Sequence, residues 1–269
     1  MRNILIHADA SPAMAARTET ALRVGRHFRS HLSFLIASPY QQFIASDPFG
    51  GMYLAREQLA KAQLADTELE TALGAQLTRE DVPWDITVAD GETLGCLALA
   101  ATLSDLVIVS LGARDRRGLA QGAIAGDLAM TVPVPVLALP ADGKPIDLDA
   151  PIMIAWNGSP QSAHALRAAA PLLGDARSIV MVQIGPDQGR VSAEDALCYM
   201  SRHGVHGELR RVERGHEAPE EILEEMAKDI APGLIIMGAF GRPRLRETLF
   251  GGVTRYLLEA APAPLLLAH

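Results

Sequence analysis

The chain has 269 residues, 49% of them hydrophobic but only 4% aromatic, which is enough for one large or two small aliphatic cores. A formal net charge of −8, with no dense Lys/Arg stripe, excludes a general nucleic-acid binder, and no apolar run approaches the roughly 20 residues of a membrane span. Two distant cysteines, Cys96 and Cys198, supply neither a disulfide framework nor a C-x-x-C motif, and in apolar helical segments both read as buried thiols.

The opening MRNILIHADAS reads as a strand with no secretory signal, which points to a cytoplasmic chain. Residues 3–8 (NILIHA) are that strand, and Asp9-Ala10-Ser11-Pro12 then starts a helix with Ser11 as its N-cap. Helical spacing over 14–28 puts Met14, Ala21, Gly25 and Phe28 on one side and Glu19, Arg23 and Arg26 on the other. A second strand covers 32–38, a turn-rich loop 39–51, and a long amphipathic helix 52–77. Residues 84–89 are a strand, 93–102 a helix, and 105–110 a nearly all-apolar strand of the kind a parallel sheet buries on both faces. A loop and a helix to about residue 130 lead to a strand at 134–139.

Residues 140–150 (PADGKPIDLDA) read as a linker, after which the pattern restarts. A strand at 152–156 runs into the turn and cap Asn157-Gly158-Ser159-Pro160 and a helix at 163–173. A strand at 178–184 follows, then a helix opened by Ser192 and Asp195 as a capping box and stopped at Gly204. Strands at 206–212, 234–237 and 265–268 and helices at 219–227 and 253–258 complete the second half. Asp9-Ala10-Ser11-Pro12 matches Asn157-Gly158-Ser159-Pro160, Gly112 matches Gly241, Gly122 matches Gly251, and Pro133-x-Pro135 matches Pro262-x-Pro264. The chain is therefore expected to be α/β, with two tandem Rossmann-like domains at 1–140 and 151–269. A ligand would bind beyond the carboxyl ends of the strands.

The second half holds the most pointed motif, G-x2-G-x9-G from Gly238 through Gly241 to Gly251, between a strand and a helix. Such a loop offers bare backbone N–H groups and a helix N-terminus to an anion; the alternative use of these glycines is tight turns and helix–sheet packing with no ligand. It is neither a P-loop nor a dinucleotide G-x-G-x-x-G. The motif, the two turns and the two final Pro-x-Pro strands resemble the universal stress protein family over nearly the whole chain. That resemblance implies a five-stranded parallel sheet per domain, order 3-2-1-4-5, in the manner of adenine-nucleotide α-hydrolase relatives. It also implies an internal pseudo-dimer paired through the last strands, 134–139 and 265–268.

By the same resemblance the acid ending strand one meets adenine, the residue ending strand two lines the base pocket, and the glycine loop wraps the phosphates. These positions are Asp9 in the first half and Asn157, Ile184, Gly238, Gly241, Gly251, Gly252, Val253 and Thr254 in the second. The first half departs from the pattern with Val109 and Ala123 at the first glycine and the hydroxyl position, so its loop is degenerate. The second departs with Asn157 for the acid and Gly252 for Ser or Thr, although an asparagine still accepts a hydrogen bond from an adenine amino group. The expected function is an ATP-binding regulatory or stress-response module, with magnesium accompanying the nucleotide, little or no turnover, an unidentified protein partner and room for a further homodimer. The alternatives are a nucleotide-free interaction module and, third, an enzyme hydrolysing ATP or transferring a nucleotidyl group.

Other constellations carry less. Arg242, Arg244 and Arg246 suit either a phosphate clamp or surface ion pairs. Cys198, His203 and His206 lack a fourth ligand for zinc. His7 and His164 read as packed or surface residues, and with no G-x-S-x-G elbow no catalytic group is assigned.

Overall fold

Aliphatic strands alternate with amphipathic helices along the chain, and a strand that is apolar on both faces needs cover on both, the condition for a parallel sheet. The computed structural model describes residues 1–40, 52–112, 124–140, 144–186, 190–239 and 252–269. The first stretch of elements is β1 (Asn3–Ala8), α1 (Met14–Phe28), β2 (His31–Ser38), α2 (Met52–Leu77), β3 (Trp84–Asp90), α3 (Thr93–Ala100), β4 (Leu106–Ser110), α4 (Ile124–Thr131) and β5 (Val136–Leu139). The second is β6 (Ile152–Trp156), α5 (Pro160–Ala169), β7 (Ile179–Ile184), α6 (Ala193–Arg202), β8 (Glu208–Val212), α7 (Pro219–Ile230), β9 (Leu234–Gly238), α8 (Gly252–Ala260) and β10 (Leu265–Ala268).

These elements group into two units, Met1–Ile108 and Val109–His269. In unit 1, β1 lies parallel between β2 and β4, with Ile4 opposite both Leu32 and Leu106, and β3 runs parallel outside β2. In unit 2, β6 lies parallel between β7 and β9, with Ile152 opposite Ile179 and Leu234, while β8 and β10 extend the two sides. The order β8-β7-β6-β9-β10 is the expected 3-2-1-4-5. β5 belongs to unit 2 as well, antiparallel to β10 with Ala138 opposite Leu265 and Val136 opposite Leu267. The last strands therefore pair as the family resemblance implies. The contact-defined units part between Ile108 and Val109, and β5 and β10 fall in the same unit.

Ile4, Ile6, Leu32, Phe34, Leu106 and Ile108 are fully buried in unit 1, as are Met153, Ile154, Met181, Ile235, Ile236 and Leu266 in unit 2. Each such side chain contributes about 1.5–3 kcal/mol on burial, whereas an exposed pair such as Arg23 with Glu19 contributes about 0.3–0.5 kcal/mol. The aliphatic strands hold the sheets, and the surface ion pairs do not.

Both cysteines depart from expectation. Cys96 is half-buried, and Cys198 is exposed. On α6 the buried positions are Ala193, Ala196 and Met200, a stripe at three- and four-residue steps that leaves Cys198 on the outer face.

Candidate functional site

Parallel strands send all their carboxyl ends one way, so the strand ends and the first turns of the helices that follow gather at that end of each unit. In unit 1 the residue after β1 is Asp9. Its Oδ1 accepts from the Ser11 N–H at 3.0 Å and from the Ser11 hydroxyl at 2.6 Å, and it is paired with the Arg17 guanidinium. Arg17 is 2% exposed, and its Nη2 also reaches Ser11 Oγ at 3.3 Å. The remaining neighbour is His7, buried, with Nδ1 3.7 Å from Asp9 Oδ2.

Electrostatics follows from this geometry. Burial lowers the His7 pKa most, Arg17 lowers it further, and Asp9 pulls it up more weakly, leaving it at about 4, so the imidazole is neutral at neutral pH. Burial by itself raises the Asp9 carboxyl, but the Arg17 charge and the hydrogen bonds from Ser11 and Arg17 together outweigh that and hold it below the usual carboxylate range. Asp9, the acid expected to meet adenine, is engaged through Oδ1 by Ser11 and Arg17, and its side chain stays about a third exposed. Ser11 is diverted too: α1 begins at Met14 behind Ala13 with no side-chain cap, because the Ser11 hydroxyl is bound to Asp9.

Unit 2 repeats the turn without the charges. Asn157 Oδ1 accepts from the Ser159 N–H at 3.1 Å, as Asp9 does from Ser11, and Asn157 is exposed. The hydroxyl of Ser159 is free of that task and accepts from the Ser162 N–H at 3.1 Å, capping α5 with Pro160 at its first position, as the sequence predicts. In register with Asp9, the positions of His7 and Arg17 fall on Ala155 and Ala165.

Of the other expected positions, Ile184 and Gly238 lie beside this turn. Strand register sets Trp156 opposite Gln183, so Asn157 and Ile184 are the next residues along their two neighbouring strands; Ile184 is half-buried. Gly238 ends β9, and a Cβ there would lie 2.5 Å from the Gln161 carbonyl carbon and collide with Ser162 N. A glycine at 238 is therefore required by the close approach of α5 to β9, independently of any ligand. Gly252 opens α8 and is exposed, with the Glu220 carboxylate 3.0 Å from where its Cβ would stand; Val253 is half-buried. Thr254 is 5% exposed, on the stripe of α8 that also buries Leu257 and Leu258. Gly241 and Gly251, the arginines at 242, 244 and 246 and those at 114, 116 and 117 lie outside the described residues.

A second signal at this end was not singled out in the sequence. Among the described residues, the buried side-chain polar atoms without a partner are Trp156 Nε1, Gln161 Oε1, Gln183 Oε1, Ser110 Oγ and Arg17 Nε. Trp156 and Ser110 end β6 and β4, Gln183 is next to last in β7, Gln161 is in the first turn of α5, and Arg17 meets the Asp9 turn. Unpartnered buried polar atoms are rare, and all of these sit at the carboxyl end where α/β sheets take ligands. The trace in the sequence is a Trp and a Gln closing the otherwise aliphatic runs IMIAW and IVMVQI. Among the described residues no group of three or more His, Cys, Asp or Glu is arranged to hold a metal ion, and no helix is long and apolar enough to cross a membrane.

The model of the universal stress protein family matches residues 175–269. A universal stress protein from Archaeoglobus fulgidus DSM 4304 is similar at 13% identity, over 99% of this chain and 95% of its own, with a TM-score of 0.70. A putative universal stress protein from Pseudomonas aeruginosa UCBPP-PA14 is similar at 15% identity, over 100% and 93%, with a TM-score of 0.62. One from Burkholderia pseudomallei is 30% identical over 46% of this chain and 98% of its own, with a TM-score of 0.34. No curated protein matches the sequence. The chain belongs to the universal stress protein family, and the two long similarities carry its fold through both halves.

Proposed function

We propose that this chain is an adenine-nucleotide-binding regulatory module that holds ATP at the carboxyl end of unit 2, with little or no turnover. The observation that carries the reading is the contrast between the two strand-one turns. Asp9 is bound by Arg17 and Ser11, while Asn157 is exposed and makes one hydrogen bond through an oxygen that has a second lone pair for a ligand amino group.

The residues present fit the two parts of such a ligand. Asn157 and Ile184 offer a neutral, part-apolar surface for a base, one residue beyond the buried, unpartnered polar groups of Trp156 and Gln183. Gly252 and the N-terminus of α8, with Val253, Gly241 and Gly251, would receive the phosphates, since a helix N-terminus favours anions. Thr254 is buried, so a contact from it would come through the backbone. Magnesium would neutralise the phosphate charge that Glu220 opposes. In this reading the nucleotide, in the cytoplasm, biases a surface offered to a protein partner.

The test is a calorimetric titration of nucleotide-stripped protein with Mg-ATP, beside a Gly241→Val/Gly251→Val variant checked for folding. One site per chain that disappears in the folded variant supports the reading. No heat, with no nucleotide in the protein as purified, overturns it in favour of a nucleotide-free interaction module.

A further inference from the structure

The strand ends of the two units differ at one more pair of positions. In unit 1 the register sets Ala8 opposite Ile36, both buried and aliphatic. At the corresponding place in unit 2, Trp156 stands opposite Gln183, both 3% exposed. Trp156 Nε1, a donor, and Gln183 Oε1, an acceptor, have no partner, although they stand on neighbouring strands. A polar atom buried without a partner is costly, and the same fold does without it in unit 1 by using Ala and Ile. Gln183 Nε2 donates to Gly185 O at 3.3 Å, which leaves the amide oxygen as the end of that side chain without a partner.

Resting on the reading that unit 2 holds an adenine nucleotide, we infer that Trp156 and Gln183 form a donor–acceptor pair that selects the base. Neighbouring strands lie about 4.8 Å apart, and register partners send their side chains to the same face of the sheet, so the two polar groups rise side by side. Adenine presents an amino donor beside a ring-nitrogen acceptor, which matches an amide oxygen beside an indole N–H. Hypoxanthine presents a carbonyl acceptor beside a ring N–H, the reverse order, and leaves both protein groups facing like partners. A site built to hydrogen-bond one pattern rejects the other because its buried groups are left unpaired. Selection of adenine over hypoxanthine thus lies in two side chains outside the glycine loop.

Wild type, Gln183→Leu and Trp156→Phe are titrated with ATP and with inosine triphosphate, and the ligand-free proteins are unfolded in urea. The wild type is expected to bind ATP more tightly than inosine triphosphate by at least about tenfold. Each variant is expected to lose that preference and to weaken for ATP by about tenfold. Ligand-free Gln183→Leu is expected to be at least as stable as wild type, since an orphaned acceptor is replaced by an apolar group. If wild type binds ATP and the variants keep its preference, or if Gln183→Leu is clearly less stable, the pair is structural and the inference falls while the nucleotide reading stands. If wild type binds neither nucleotide, both fall together.

Discussion

The end of β1 and the end of β6 are the same turn with opposite electrostatics. Around the first, the Asp9–Arg17 ion pair stands beside a buried neutral His7; around the second, Ala155, Asn157 and Ala165 leave a neutral amide exposed to solvent. The aspartate looks the better ligand group on sequence, yet Arg17 supplies its counter-charge from within unit 1, and Oδ1 is already engaged by Ser11 and Arg17. The asparagine carries no charge to be desolvated, and among the described residues no guanidinium is bonded to it. In a duplicated fold, the half that departs from the family's acid is here the half whose turn carries no ion pair among the described residues.

The largest effect that would break this comparison is on stability. Asp9→Ala leaves Arg17 buried and unpaired, which is expected to cost about 3 kcal/mol, the low end for a broken buried pair because Asp9 is partly exposed. Asn157→Ala is expected to cost less than about 1 kcal/mol, since it loses only a turn hydrogen bond. Urea denaturation compares the two, and equal losses would contradict the contrast.

The second prediction concerns pH. His7 takes its proton near pH 6.5 when unfolded and only near pH 4 when folded, so between those values the unfolded state binds more protons and acid favours unfolding. The shift corresponds to about 3 kcal/mol of stability that is present above pH 6.5 and gone below pH 4. Asp9, held low, adds stability that is lost as pH falls through its folded pKa, below the ordinary 3.8. His7→Phe should flatten the profile between pH 4 and 6.5, and an unchanged slope would show that His7 is not the group responsible.

The smallest effect sharpens the ligand side. Glu220→Gln removes a carboxylate beside the start of α8 and is expected to tighten Mg-ATP binding by about threefold at low salt, less as salt rises. Weaker binding in that variant would place Glu220 on the side of the ligand.

Much of the architecture was legible because hydrophobic period is local information. The bounds of β1, α1, α2 and β10 coincide with the expected 3–8, 14–28, 52–77 and 265–268, and the Ser159 cap follows from one residue and the proline after it. What was hidden depends on tertiary partners. Ser11 and Ser159 occupy matching positions, but only the fold shows that Asp9 and Arg17 take the hydroxyl of the first. Arg17 gave no signal in the sequence of its burial against Asp9. Gly238 looked like a phosphate contact, and its neighbours Gln161 and Ser162 show a packing cause that spacing alone could not separate from a ligand. β5 shows the same limit, since nothing local says that it groups with β10 across the linker.

The most direct measurement is photo-crosslinking of the stripped protein with 8-azido-ATP, followed by mass-spectrometric mapping of the labelled peptides with unlabelled ATP as competitor. The account predicts competed label on peptides holding the β6 and β7 ends, around Asn157 and Ile184, and none around Asp9. Competed label around Asp9, or no competed label anywhere, would contradict it.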